Sequence, residues 1–164
     1  MTNRLHHMAF RCRDTEETRA FYEDVIGLPL SAVLELKTSA TGRPVEALHS
    51  FFELRDGSFL AFFEVPGSEF EFKPQHDFDL HIALQSDLAA LQAAVTAAKA
   101  RDLEVRGPSD HGFIHSTYFR DPNGYVVELA VPTSHAGEIL SSARDLARAQ
   151  LDAWTARRHS SVTA

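Results

Sequence analysis

One pattern of elements occurs twice in this chain, and that repeat limits the possible folds more than composition does. Residues 48–57 read LHSFFELRDG and residues 114–124 read IHSTYFRDPNG. Each run ends in turn chemistry and is followed by an apolar strand pattern. The starts of the two halves match loosely as well, HHMAF at 6–10 against DLHIAL at 79–84. A period of about 65–70 residues in two copies is too long and too few for a solenoid. It fits two similar α+β units that together enclose a cleft.

The elements follow the same order in each half. Residues 5–11 read as a strand. Asp14 starts a helix, with Glu17 three residues on as a capping-box partner and Phe21, Tyr22 and Val25 on its buried side. Gly27 and Pro29 end it. A strand over 30–36, a polar loop over 37–44, and strands over 46–54 and 58–65 joined at Asp56-Gly57 complete the first unit. After a linker over 68–77 comes a strand over 78–84. A helix then runs from Ser86 or Asp87 to about Ala100, with Leu88, Leu91, Val95 and Ala98 on one face. Strands over 103–106, 112–119 and 124–131 follow, the last two flanking Asp121-Pro122-Asn123-Gly124. The expected organisation is one domain over 1–132, made of β-α-β-β-β modules at 4–66 and 78–131. An amphipathic helix follows at 133–158, carrying Ala136, Ile139, Leu140, Ala143, Leu146, Ala147, Leu151 and Trp154 on one face. Residues 159–164 form a frayed tail.

Composition removes several classes of function. Sixteen basic against 23 acidic residues give a net charge of −7, which argues against a nucleic-acid surface. No apolar run is long enough for a membrane span. The polar face of the last helix is too mixed for a strong membrane-surface element. The single cysteine, Cys12, excludes an internal disulfide framework. The opening MTNRLHHMAF runs into a strand pattern with no basic-then-apolar leader, so a cytoplasmic location is expected.

Twelve phenylalanines and nine histidines point to an aromatic core or apolar cavity and make each histidine worth tracing. By strand alternation Leu5, His7, Ala9 and Arg11 share a face, as do Asp79, His81 and Ala83, and Val126, Glu128 and Ala130. His7, His81 and Glu128 each sit in a largely apolar strand with alanine two residues on. Glu128 interrupts YVVELAV, and a buried carboxylate needs a partner or a metal. Two imidazoles and a carboxylate suit Fe(II), Mn(II), Co(II), Ni(II) or Zn(II), with positions left open for substrate. The same residues also fit two backbone-bonded histidines and an arginine-paired glutamate. His49 and His115 occupy matched places in the two modules, and either is a candidate general base. His111 belongs to a turn that can border the cavity. Phe51, Phe52, Phe59, Phe62 and Phe63 lie on neighbouring strands, so one set can line a cavity and the other pack against helices. Arg11 shares the face of His7 and can meet an acidic substrate or a carboxylate.

Residues 4–131 resemble the vicinal oxygen chelate superfamily, which includes glyoxalase I, fosfomycin-resistance proteins, extradiol dioxygenases, methylmalonyl-CoA epimerase and bleomycin-resistance proteins. LHHMAFRCRD with TRAFYEDVIGLPL resembles its first strand and helix. YFRDPNGYVVEL resembles its last hairpin, and FDLHIALQSD stands where the second module begins. The resemblance implies the tandem β-α-β-β-β fold, a homodimer, a small-molecule substrate and a divalent metal held by His7, His81 and Glu128. The fourth ligand of glyoxalase I would fall on Ala61 or, with a one-residue slip, Phe62, and neither can ligate. The remaining set resembles that of the dioxygenases and fosfomycin-resistance proteins, with Fe(II) favoured. Tyr118 matches the dioxygenase tyrosine that bonds a substrate oxygen, whereas the place of their distal histidine falls near Ser58. Residues 104–113 offer only Arg106 for a phosphonate loop. The expected activity is a dioxygenase-like oxidation of a catecholic or related aromatic substrate. The alternatives are a glyoxalase-like lyase or an epimerase acting through an enediolate, and a non-catalytic binding protein.

Overall fold

Each half of the chain builds one four-stranded sheet in the computed structural model, which describes residues 4–39 and 41–162. The first sheet holds β1 (His7–Arg11), β2 (Leu30–Thr38), β3 (Pro44–Glu53) and β4 (Phe59–Glu64) in the order β1-β4-β3-β2. The second holds β5 (Ile82–Gln85), β6 (Val105–Asp110), β7 (Ile114–Arg120) and β8 (Val126–Pro132) in the order β5-β8-β7-β6. In both, the first strand runs parallel to the last and the other neighbours are antiparallel. A helix follows each first strand: α1 (Thr15–Phe21), which continues into a π-helical turn over Tyr22–Ile26, and α2 (Leu88–Lys99). A third, α3 (Ala136–Val162), follows β8. The architecture is the expected α+β tandem of β-α-β-β-β modules with a C-terminal helix.

Local chemistry sets the element ends. Asp14 accepts the Glu17 amide at 2.7 Å and starts α1, and Asp87 accepts the Ala90 amide at 2.8 Å and starts α2. Gly27, at φ 85°, turns the chain left-handed, and the Leu28 amide closes the end on the Tyr22 carbonyl at 2.8 Å. Alternation then sorts side chains by face. Phe10, Phe52, Leu60 and Phe62 of the first sheet and Ile82, Leu84, Phe119, Val127 and Leu129 of the second meet Phe21, Tyr22, Leu91, Ala94 and Ala98 in one core. The opposite face of each sheet is left without a helix.

Some elements differ from the sequence expectation. The strand expected over 78–84 is Ile82–Gln85, because Asp79 folds the preceding residues into a turn with His76 and leaves Phe78 exposed. The strand expected over 103–106 is Val105–Asp110, taking in residues expected as loop, with a register shift between Arg106 and Ser109. Leu88, the first residue of α2, is exposed, and Ala94 takes its place on the buried face. The backbone of α3 stays helical through Val162; residues 163 and 164 of the expected frayed tail lie outside the described residues.

The two modules are joined by a buried polar knot. In the turn between β7 and β8, Asp121 accepts hydrogen bonds from the Asn123 and Tyr125 amides at 2.9 and 2.8 Å. Its other oxygen accepts from Asn123 Nδ2 and from the hydroxyl of Tyr22, in the first module, both at 3.1 Å. Asn123 also accepts the Arg13 amide and donates to Thr18 Oγ1. Burial pushes the Asp121 carboxyl above its ordinary value of 3.8, against the pull of these donors.

Asp121→Ala should therefore cost about 2–4 kcal/mol in urea unfolding, since it strands a buried tyrosine hydroxyl and two amides. Asp121→Asn separates charge from shape. A raised native pKa means the native state holds this proton more firmly than the unfolded chain, so its contribution to stability falls as pH rises from about 3.8 through the native value. The stability advantage of the wild type over Asp121→Asn should narrow across that window, and a gap that widens there would contradict the assignment.

Candidate metal centre

The helix-free face of the second sheet carries the polar cluster. Register places Ala83, Glu128, Tyr118 and Arg106 side by side on four strands. His81, just before β5, falls on the same face. Glu128 is only 5% exposed, and Ser116 Oγ donates to its Oε1. Its Oε2 lies 3.3 Å from His81 Nε2. The arginines of this face are engaged elsewhere, Arg106 by Asp77 at 2.7 Å and Glu104, and Arg120 by Glu104 and Asp77.

The tautomer of His81 makes this pair informative. Its Nδ1 donates to the Asp77 carbonyl at 2.9 Å, so in the neutral ring Nε2 bears a lone pair. That lone pair faces a carboxylate oxygen, an arrangement that calls for a cation in the gap, either a proton or a metal ion. Two ligands at about 2.1 Å in adjacent positions on one metal have donor atoms about 3.0–3.4 Å apart. The observed 3.3 Å fits that spacing. The Asp77 carbonyl orients the imidazole, and Ser116 fixes the carboxylate.

The helix-free face of the first sheet carries aromatic rings. His7 and Phe59 pair on this face, then Ala9, Ala61 and Phe51, then Arg11, Phe63 and His49. His49 is buried and stacks on Phe63, with ring centres 3.7 Å apart and planes within 6°. Its Nδ1 donates to the Phe62 carbonyl at 3.1 Å, which leaves Nε2 as the acceptor. His7 lies 6.3 Å from the His49 ring and 5.9 Å from Phe51, its Nδ1 2.8 Å from that of His6. The expected aromatic set thus divides, with Phe51, Phe59 and Phe63 on this face and Phe52 and Phe62 in the core.

Within one chain His81 and Glu128 come together and His7 does not join them. Among the described residues no three or more His, Cys, Asp or Glu side chains are grouped to hold a metal ion. Tyr118 stands directly opposite Glu128, and its hydroxyl is 2.9 Å from His111 Nε2. His115 is on the other face of β7, beside Asp110 at 3.7 Å. Ser58 donates to Asp56 in its own turn, and Arg11 to the Ser68 carbonyl. The Ser116 and Asp77 contacts were not anticipated from sequence. Ser116 was legible in principle, since the hairpin centred on residues 121–124 brings 116 and 128 to the same face.

This fold, with a polar pair on one open sheet face and an aromatic-lined histidine pair on the other, defines a tandem β-α-β-β-β protein. Residues 4–129 match the Glyoxalase/Bleomycin resistance protein/Dioxygenase superfamily, and the chain belongs to it. No curated protein matches. Solved structures share the fold at low identity. A glutamate-to-glutamine mutant of FosX from Listeria monocytogenes, a fosfomycin-resistance protein in complex with Mn(II) and 1S,2S-dihydroxypropylphosphonic acid, is 20% identical, with 82% of this chain and 97% of that one covered and a TM-score of 0.59. A glyoxylase/bleomycin resistance protein/dioxygenase domain from Frankia sp. EAN1pec is 14% identical, covering 81% and 100%, with a TM-score of 0.66. TnmS3, an antibiotic-binding protein from Streptomyces sp. CB03234, is 19% identical, covering 80% and 98%, with a TM-score of 0.56.

Glu128 should be a burden on the metal-free fold. In chelator-treated protein, Glu128→Gln removes a buried charge and supplies an amide N–H to His81 Nε2. Its melting temperature should rise by about 2–4 °C in a thermal scan. A lower melting temperature would mean that the carboxylate is a structural partner and not a ligand in waiting.

Proposed function

We propose that the chain is a divalent-metal enzyme acting on a small molecule that presents two adjacent oxygens, with an Fe(II)-dependent oxidation of a catecholic or similar aromatic substrate as the leading activity. The observation that carries this reading is the facing pair of His81 Nε2 and Glu128 Oε2, 3.3 Å apart, with Ser116 holding the carboxylate. His7 would supply the third ligand from a second copy of the chain, since the face that carries it is open and the single chain leaves it apart. When bound, such a metal polarises substrate oxygens, and Fe(II) adds electron exchange with dioxygen.

The chain's own residues have separable tasks. Phe51 and Phe59, set nearly perpendicular to each other, and Phe63 beneath His49 line the open face with apolar rings against which an aromatic substrate can pack. His49 Nε2, with the other ring nitrogen fixed on a backbone carbonyl, can take and return a substrate hydroxyl proton. Tyr118 and His111 form a bonded pair that can orient a substrate oxygen over the open face of the second sheet, beside Glu128. The pinned His49 also serves a second reading, in which the reaction is proton transfer alone, as in a lyase or isomerase.

Elemental analysis of anaerobically purified protein is the first test. About one iron per chain, lost in His81→Ala, would support the metal reading, and failure to take up Fe, Mn, Co, Ni or Zn would overturn it. His7→Ala and His81→Ala should each lose metal alone. Unfolded together and refolded, they should recover about a quarter of the wild-type sites, because half the pairs are mixed and each mixed pair has one intact site. No recovery would return His7 to the same chain as its partners. His49→Ala should keep metal while lowering turnover by about 10²–10⁴. Oxygen consumption with catechols favours the oxidation, and solvent-proton exchange without oxygen uptake favours the second reading.

A further inference from the structure

We infer that α3 is an arm by which one copy of this chain grips a second copy. The inference rests on the two-copy reading of the site and adds the element that makes the pair.

Ala136 is buried at the base of the helix, and every described residue from Gly137 to Arg158 is exposed. The helix has 27 residues, which makes it about 40 Å long. Ile139, Leu140, Leu146, Leu151 and Trp154 are 40–57% exposed. Five apolar side chains on a helix with no cover are unusual for a free monomer. Ala136, Leu140, Ala143, Ala147, Leu151 and Trp154 advance in steps of four and three that keep pace with the 3.6-residue turn. Such a stripe stays straight along the helix and suits a broad protein surface better than a long left-handed supercoil. The small Ala143 and Ala147 between larger residues allow close approach.

Three observations name a second copy as the occupant. First, each chain leaves its two helix-free sheet faces partly open: His7 and Ala9 on one, His81, Ala83 and Gln85 on the other are exposed. Second, α3 springs from β8, the strand that carries Glu128, through only three residues, with the Ala136 amide closing on the Thr133 carbonyl at 3.1 Å. The arm therefore starts at the rim of a face that the second copy would cover. Third, the charges complement each other. The helix carries four arginines against three carboxylates, whereas the rest of the chain carries twelve basic against twenty acidic residues. Two acidic bodies repel, and a slightly basic arm laid across the other body offsets that repulsion. An anionic membrane is a poorer match, because the polar face is nearly balanced and Arg148 is paired with Asp152 at 2.8 Å.

Trp154 is the only tryptophan, so its emission reports on the arm alone. Its emission maximum and acrylamide quenching would be followed against full-chain concentration, with mass by light scattering in parallel. The expected result is a dimer whose Trp154 is blue-shifted and shielded, with both properties lost together on dilution. Leu151→Glu in the full chain should redden Trp154 and shift the dimer toward monomer at the same concentration. A dimer with a solvent-like Trp154 that is untouched by Leu151→Glu overturns the arm and leaves the two-copy site standing. A monomer at all concentrations overturns both. Blue-shifted emission in a monomer means that the arm folds onto its own body, and a blue shift only with phosphatidylserine vesicles makes the occupant a membrane; either overturns the inference.

Discussion

The carboxylate of Asp121 is the contact on which the arrangement of the two modules depends. It sits in the turn of one module and accepts the hydroxyl of a fully buried tyrosine from the other. With Asn123 bonded to Arg13 and Thr18, the turn is fastened to the start of α1. The helix-covered faces of both sheets then share one core, and neither module can rotate about the other without stranding buried polar groups. Each module has only one helix between its strands, so only one face of each sheet is covered from within. The faces left over are where the chemistry collects.

Duplication and divergence are both visible on those faces. His49 and His115 hold matched places in the repeat, yet they point differently. His49 stands eight residues before its turn glycine, Gly57, and His115 nine before Gly124. One added residue in a hairpin carries every side chain on that strand to the other face. His49 consequently packs beside His7 and Phe51, while the same turn count gives the second module Ser116 and Tyr118 on its open face and sends His115 away from it. The two turns are equally long, five residues between Glu53 and Phe59 and between Arg120 and Val126. One residue more in the strand before the second turn thus gave one open face a pinned imidazole and the other a hydroxyl aimed at a carboxylate.

Much of this was readable from the sequence because period-two alternation and turn chemistry are local. The faces of His7, Glu128 and the phenylalanines followed from counting residues, and the caps at Asp14 and Asp87 from residue type. The misplaced start of β5 has a tertiary cause: FDL looks like strand, but Asp79 bonds back to His76 and holds Phe78 outside the sheet. The extension of β6 past Pro108 depends on pairing with β7 that a loop-like GPSD sequence does not advertise. The site was legible as three separate residues and not as an assembly. Nothing local in the chain says that His81 will be turned by the Asp77 carbonyl, or that His7 will stand apart from its expected partners.

That separation has a thermodynamic consequence on the proposed reading. Donors from two copies around one ion make metal binding and pairing parts of a single equilibrium. Each then raises the apparent affinity of the other by the same factor. The cost of holding Glu128 buried against the lone pair of His81 is borne by the isolated chain and relieved in the loaded pair. An acidic body resists pairing in the absence of the ion, which makes the contribution of any additional contact decisive. A long helix with an uncovered apolar stripe and a small positive charge is such a contact. It would let the pair form before the ion arrives, so that the open faces meet already aligned and the ion need only complete the site.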